Sequence, residues 1–187
     1  IENGSLTING GSVTASSADK TKKDISSNQI TINGGSVKAS SVSSAPTNDQ
    51  GEKVYCCTIE NPDSENVIII DVDETSTLWN PQDHKAVDPN DKRLYAWLTG
   101  ETHTIAVGNK KQTYYFEETS NSNTFKPITN NDFILSSPNL TYNGTAQAPL
   151  ECNIEDIKDE IKLSYYENGV PQPNGAINAG TYTVTAN

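Results

Sequence analysis

Aromatic and amide side chains between residues 79 and 97 could recognise a sugar. Trp79 lies in a segment of polar and turn-forming residues, where Asn80 and Asp83 could hydrogen-bond to sugar hydroxyls. An aromatic ring stacks on a sugar through its apolar face, which makes Trp79 the first candidate and Tyr95 with Trp97 the second. Core packing also explains these rings, because aromatic side chains usually fill protein cores. For Trp79 we favour the interpretation that the ring anchors a long loop on a sheet.

Carboxylates cluster at two places that could hold a calcium ion. Asp71 and Asp73 fall on one side of a predicted strand end, and their hard oxygen ligands suit Ca²⁺. A second cluster spans residues 88–91, and neither cluster has the spacing of an EF-hand loop. A solvated acidic surface is the better interpretation, so we expect no cofactor, with calcium at Asp71 and Asp73 as the alternative.

The groups that catalysis needs are sparse. The sequence holds no phosphate-binding loop, no HExxH or GxSxG motif and no recognisable carboxylate pair of a glycosidase. A pairing of His103 with Cys56 or Cys57 stays open, but no local motif supports it. The three cysteines lack zinc-ligand spacing, and unpaired thiols are favoured over a bridge to Cys152. We therefore expect a protein that is not an enzyme.

Charge and composition bound the class of protein. The chain has 187 residues, and 24 acidic against 13 basic side chains give a net charge of −11. Phosphate binding needs clustered Lys and Arg, so we expect no nucleic-acid partner. The longest apolar run, residues 67–70, is far below the roughly 20 residues of a membrane span. Residues 1–50 are neutral, residues 51–118 carry −7 and residues 119–187 carry −4, which indicates several modules.

A repeat of 24 residues is the strongest pattern in the sequence. Residues 6–17 recur as residues 30–41, with ten of twelve positions identical. Fixed periods in this range mark repeat architectures. In each copy, two β-rich runs flank Asn-Gly-Gly-Ser, and this corner must turn the chain so that Ile32 and Val37 both point inward. A hairpin and a β-solenoid with one coil per repeat both fit, and the constant return after 24 residues favours the solenoid.

The pattern predicts more coils than these two. The chain opens within the repeat and contains no Met, so we expect a piece of a longer protein with further coils upstream. Downstream, Val54 and Cys56 fall 24 residues after Ile30 and Ile32 and could begin a third coil, although the Gly-Gly corner is missing there.

Antiparallel strands are predicted after a loop rich in Ser, Pro and Gly at residues 43–51. The candidates are residues 53–59, 67–72, 93–98, 102–107 and 112–116. Gly100 predicts a hairpin between the third and fourth candidates, and Gly108 predicts the turn after the fourth. Such a domain would cap the open end of a repeat stack.

The repeat unit Ile-x-Ile-x-Gly-Gly-x-Val-x-Ala resembles the glycine-rich ItItGGtVtA unit of bacterial cell-surface and adhesin-like proteins. In those proteins a segment similar to residues 45–55 often follows the last unit, so the resemblance covers residues 1–118. Some members are labelled carbohydrate-binding or cell-adhesion proteins. The resemblance implies an extracellular location and a role in adhesion.

Three successive motifs mark the C-terminal part. They are Leu-Thr-Tyr-Asn-Gly-Thr-Ala at residues 140–146, Leu-Ser-Tyr-Tyr-Glu-Asn-Gly at 163–169 and Asn-Ala-Gly-Thr-Tyr-Thr-Val-Thr-Ala at 178–186. Together they resemble the MBG-type immunoglobulin-like modules of bacterial surface adhesins, over residues 136–187. Modules of that type normally continue for one more strand, so this copy is expected to be truncated or atypical.

These features together predict an all-β chain of several modules. We expect a short β-solenoid over residues 1–50, an antiparallel β-domain capping it over 51–118, a linker over 119–135 and an immunoglobulin-like β-sandwich module over 136–187. The expected function is structural display and cell adhesion by a non-catalytic fragment of a bacterial protein, secreted or on the cell surface. The alternative is a carbohydrate-binding module that uses the exposed aromatic residues of the middle domain. The expected partner is a surface polysaccharide or a protein of a host or neighbouring cell.

Overall fold

The computed structural model shows an all-β protein, as the sequence predicts. It describes residues 4–63, 66–71, 92–120, 123–135, 143–145, 147, 150–155, 157–159, 161–177 and 180–186. Across these ranges the regular structure consists of strands and one short 3₁₀ turn at Asn130–Asp132. The chain forms two compact units, Ile1–Pro127 and Ile128–Asn187. The predicted modules 1–50 and 51–118 therefore lie within one unit.

The two copies of the repeat stack in parallel. Strand β1 (Ser5–Ile8) pairs with β3 (Gln29–Ile32), and β2 (Ser12–Thr14) pairs with β4 (Ser36–Lys38). Every paired position is offset by 24 residues, as in Leu6 beside Ile30 and Val13 beside Val37. Among the described strands β1 pairs with β3 and not with β2, so the hairpin interpretation of the repeat is wrong.

The Gly-Gly corner lets the two copies approach each other closely. Gly11 and Gly35 adopt φ of 78° and 92°, a region that other residues rarely enter. A Cβ atom on Gly35 would lie 2.7 Å from the carbonyl oxygen of Gly11. The corner also turns the chain as predicted, because Ile32 and Val37 are both fully buried in the same apolar cluster.

The next layer of the stack does not follow the period of 24. Thr47 lies beside Thr31, an offset of 16, and its backbone N–H donates to the carbonyl of Ile30 at 3.0 Å. The third coil predicted at Val54 and Cys56 is therefore wrong. Residues 43–51 lack the Gly-Gly corner, and Pro46 has no N–H to continue a ladder.

Two antiparallel sheets pack face to face after the stack. One is the ribbon of β5 (Val54–Glu60) and β7 (Arg93–Thr99), and the other has the order β10-β9-β8-β6. The strands of the second sheet are β6 (Ile68–Ile70), β8 (His103–Val107), β9 (Lys110–Glu118) and β10 (Asn123–Pro127). Their shared core holds Cys57 and Leu94 from the ribbon and Ile68 and Ile105 from the larger sheet.

Of the two turns predicted at Gly100 and Gly108, one is confirmed and the other is wrong. The turn at Gly108 joins β8 to β9 as an antiparallel hairpin, as predicted. The hairpin predicted at Gly100 is wrong, because β7 pairs with β5 while β8 pairs with β6 and β9. Gly100 instead lies where the chain crosses between the sheets, close to the rings of Tyr55 and Phe116.

The second unit contains two small antiparallel sheets. Strand β11 (Phe133–Leu135) pairs with β12 (Leu150–Cys152). Strand β13 (Leu163–Glu167) lies between β14 (Val170–Gln172) and β15 (Tyr182–Ala186). The turn signal Asn168-Gly169 is confirmed, since both residues have positive φ and join β13 to β14.

The segment predicted as a linker, residues 119–135, contributes regular structure instead. Strand β10 pairs with β9 at the edge of the larger sheet, and β11 begins the second unit. The prediction relied on composition, because residues 119–123 are rich in Ser and Asn. The strand that follows contains Phe125, whose ring packs against the sandwich core.

Candidate functional site

Three of the predicted site residues lie in the described part of the chain. These are Tyr95 and Trp97 on β7 and Asp71 after β6. The remaining candidates lie outside the described residues, and they are Trp79, Asn80, Asp83 and Asp73.

The indole of Trp97 contacts the parallel stack. Alternation along β7 sends Leu94 and Ala96 into the sandwich core and turns Trp97 to the opposite face. There the indole N–H donates to the carbonyl oxygen of Val37 at 2.9 Å, and the ring packs on the apolar cluster of the stack. Trp97 thus covers strand β4 on the side away from β2.

Tyr95 contacts the same strand through its backbone and its ring. Its N–H donates to Oγ of Ser36 at 3.1 Å, and the ammonium of Lys38 lies 5.1 Å from the centre of its ring. This distance is within the range of a cation–π interaction. The ring remains partly exposed. The two aromatic residues therefore join the antiparallel ribbon to the end of the repeat stack.

Asp71 binds a histidine of the sandwich. Its two carboxylate oxygens lie 2.9 Å from Nδ1 of His103, whose residue surface is only 5% exposed. On the other side of the ring, Nε2 lies 3.1 Å from the carbonyl oxygen of Thr99. A carbonyl and a carboxylate only accept hydrogen bonds, so this pair of contacts favours the imidazolium, in which both ring nitrogens donate; the hydroxyl of Thr99 also lies 3.4 Å from Nε2.

The protonation of His103 follows from opposing effects. Burial of the ring favours the neutral form, but the hydrogen bond and the negative charge of Asp71 outweigh it and raise the pKa of His103 above its usual value. Thr99 and Glu101 act in the same direction. Asp71 itself has φ of 53°, an uncommon conformation for a residue with a side chain.

These contacts bear on two roles considered above, a catalytic pair of His103 with a cysteine and a metal site at Asp71. In its protonated state His103 has no lone pair with which to activate a thiol. Burial raises the pKa of Cys56 to about 11 and that of Cys57 to about 12, the opposite of what a nucleophilic thiolate needs. In the described residues no group of three metal-ligating side chains comes together. The carboxylate of Asp71 pairs with the ring of His103.

The second unit contains an open groove of ≈ 480 Å³ that the sequence did not reveal. Strand β13 supplies Ser164, Tyr165 and Tyr166, and the chain after β14 supplies Pro173 and Asn174. In the sequence, the features that belong to this groove are the pair Tyr165-Tyr166 and the run Pro-Gln-Pro-Asn. Only the register of β13 and β14 brings the two together.

Comparisons with protein-family models, with curated proteins and with solved structures found no match to this chain. Within the described residues, no helix is long and apolar enough to cross a membrane.

Proposed function

We propose that this chain is a non-catalytic part of a bacterial surface or secreted protein, which serves structural display and cell adhesion. It combines the end of a β-solenoid, an antiparallel domain that closes the solenoid, and an immunoglobulin-like module of the MBG type. The observation that carries the proposal is the contact of Trp97 and Tyr95 with strand β4 of the repeat stack.

The repeat stack supports the solenoid part of the proposal. Two successive copies pair in parallel with a constant offset, and Nδ2 of Asn33 donates to Oδ1 of Asn9 at 2.8 Å across equivalent corners. A stack of repeats exposes unpaired backbone at its end and needs a cap. The ribbon of β5 and β7 supplies that cap, because its backbone and its indole bond to β4.

The surroundings of the polar groups support a scaffold rather than an enzyme. The two thiols on β5 have raised pKa values, and the ring of His103 is bonded on both sides. Both features leave no activated nucleophile at these positions. The resemblance to glycine-rich repeats and to MBG modules supplies the expectation of a bacterial surface location.

Inserting one extra repeat tests the solenoid. A second copy of residues 6–29 placed between residues 29 and 30 should add one layer, lengthening the molecule by about 4.8 Å without loss of thermal stability. Small-angle scattering and thermal unfolding measure both effects. A 20-residue insert of the same composition is the matched control and should destabilise the stack. Equal behaviour of the two inserts would contradict the proposal.

A bead assay tests adhesion itself. Beads coated with the chain should adhere to bacterial or host cells more strongly than beads coated with a β-protein of similar size and charge. Incubation of the chain with polysaccharides of the same cells should release no shorter products. Product release, or adhesion equal to that of the control beads, would count against the proposal.

Carbohydrate binding by the middle domain is the second candidate function. The observation in its favour is that the ring of Tyr95 stays partly exposed beside the ammonium of Lys38. A glycan array probed with the chain and with the variants Trp79→Ala and Tyr95→Ala tests it. Binding that either variant loses would establish a sugar site in residues 51–118.

A further inference from the structure

A single carboxylate joins the two copies of the repeat at the place where their backbone pairing ends. Strands β2 and β4 are followed by one more bond between the copies, from the N–H of Ala15 to the carbonyl of Lys38 at 2.9 Å. Beyond these residues the described chain contains no backbone bond between the copies, which end at Ser17 and Ser41. The side chain of Asp24 takes over the connection there.

Each carboxylate oxygen of Asp24 bonds to a different copy. Oδ1 accepts the N–H of Ser17, in the first copy, at 2.8 Å. Oδ2 accepts the N–H groups of Ser40 and Ser41, in the second copy, at 2.8 and 3.1 Å. The backbone N–H of Asp24 itself donates to Oγ of Ser41 at 3.1 Å. The carboxylate therefore holds the ends of the two copies together, as strand pairing does for β2 and β4.

Protonation of Asp24 disrupts this arrangement whichever oxygen takes the proton. An ionised carboxylate accepts at both oxygens, whereas a protonated carboxyl oxygen becomes a donor. A proton on Oδ1 faces the N–H of Ser17, and a proton on Oδ2 faces the two N–H groups of the second copy. In both cases donors oppose each other, so the carboxyl group releases one of the two copies.

The surroundings of Asp24 keep it ionised until the solution is acidic. The backbone N–H groups of Ser17 and Ser40 lower the pKa of Asp24 most, and they outweigh the opposing effect of desolvation. Ser41 and the positive charge of Lys20 act in the same direction, so the pKa lies below its usual value of 3.8. Among the described residues Lys20 is the charged side chain that acts on this carboxylate.

We propose that Asp24 is an acid-sensitive latch between the two copies of the repeat. When ionised, it closes the stack at the ends of the copies; when protonated, it lets these ends separate while the paired strands β1 to β4 stay together. Because the folded-state pKa is lowered, the latch is closed above the ordinary carboxyl value and opens as pH falls through the lower folded value. This acid response goes beyond display and adhesion and does not depend on either role.

An NMR titration of the whole chain from pH 6 to pH 2 tests the latch. The amide protons of Ser17, Ser40 and Ser41 donate to one carboxylate, so their signals should shift with a single shared midpoint below 3.8. Their protection from hydrogen exchange, corrected for pH, should fall about threefold or more over the same range. The amide of Ser36, which donates to the carbonyl of Gly11 at 2.8 Å, should keep its protection. Separate midpoints, unchanged protection, or loss of protection at Ser36 together with the other three would overturn the proposal.

Two variants separate the latch from a general effect of acid. Asp24→Asn replaces one acceptor oxygen with a donor, so at least one copy should lose protection at pH 6 and the acid response should disappear. Asp19→Asn is the matched control, because Oδ1 of Asp19 accepts only from the N–H and the hydroxyl of Thr21 within its own turn. This control should keep the shared midpoint of the parent. Full protection in Asp24→Asn, or loss of the midpoint in Asp19→Asn, would also overturn the proposal.

Discussion

His103 links the two sheets of the sandwich through contacts with two other residues. Its ring joins Thr99, at the end of one sheet, to Asp71, at the end of a strand in the other sheet. The protonated ring can donate to both groups at once, and the pKa of His103 is raised. The interaction therefore depends on pH, and it was invisible in the sequence because Asp71 and His103 lie 32 residues apart.

The pH dependence has a definite sign. The folded-state pKa of His103 is raised, so its stabilisation is complete below the unfolded value of about 6.5 and is lost as pH rises through the folded value. His103→Gln should lower the free energy of unfolding by about 2 kcal/mol at pH 5.5 and by less at pH 8.5. Urea titrations at both values measure this. Asp71→Asn removes the charge that raises the pKa of His103, so the stability of this variant should also vary less with pH. His84→Gln changes the other histidine and serves as the control. A pH-independent effect of His103→Gln would contradict the imidazolium.

At the scale of the elements, the corner glycines decide whether the repeats can stack. Gly35 and Gly11 share a positive φ, but only Gly35 faces the backbone of the previous copy. A substitution at Gly11 therefore tests conformational strain alone, and a substitution at Gly35 tests strain together with steric contact. The two copies of the repeat allow this comparison within one chain.

Substitution by alanine should rank these positions. Gly11→Ala carries only the cost of the left-handed conformation, about 1–2 kcal/mol. Gly35→Ala adds the clash with the carbonyl of Gly11 and should cost about 1–3 kcal/mol more. Gly10→Ala, with nothing within 4 Å of its Cβ position and no positive φ, is the control. Thermal unfolding measures all three, and equal losses for Gly11→Ala and Gly35→Ala would contradict the close stacking.

The proposed cap is tested at Trp97. Trp97→Phe keeps an aromatic ring but removes the N–H that bonds to the carbonyl of Val37, and it should lower the free energy of unfolding by about 1–3 kcal/mol. Tyr95→Phe preserves the backbone bond to Ser36 and removes only the contact of the hydroxyl with the exposed guanidinium of Arg93, so it should cost less. Urea unfolding followed by circular dichroism compares them. A loss in Tyr95→Phe that matches Trp97→Phe would argue against the indole bond.

Sequence reasoning predicted what depends on short-range pattern. The all-β class, the inward-facing pair Ile32 and Val37, and the turn at Asn168-Gly169 follow from local spacing and from glycine. The third layer at Thr47 does not, because its position depends on a loop shorter than the repeat. The crossing at Gly100 was misread because a turn signal does not say which sheet receives the next strand. The groove beside Tyr165 depends on where β14 stops, which is a property of pairing between strands.

At the scale of the whole molecule, the two compact units differ in length, since the first spans residues 1–127 and the second residues 128–187. A short unit buries a smaller fraction of its surface than a longer one, and one of about 60 residues is marginally stable. The second unit should therefore unfold before the first.

Hydrogen exchange tests this order. Amides of β13 to β15 should exchange at lower urea concentrations than those of β5 to β9. Both tryptophans belong to residues 1–127, so tryptophan fluorescence should report the later transition alone. A single transition shared by fluorescence and by exchange in both units would show that they unfold together.

The contact between Asn9 and Asn33 at the corners also bears on the chemical degradation of the protein. Asn9 and Asn33 each precede a glycine, the neighbour that most favours spontaneous deamidation of asparagine, and the amide of Asn33 donates to Asn9. Conversion of Asn33 to aspartate would replace a donor with a second acceptor and place like partial charges against each other. Because the same dipeptide recurs at the same place in each copy, chemical damage would accumulate along one line of the stack. Deamidation along this line would then weaken the stack while its apolar core is still intact.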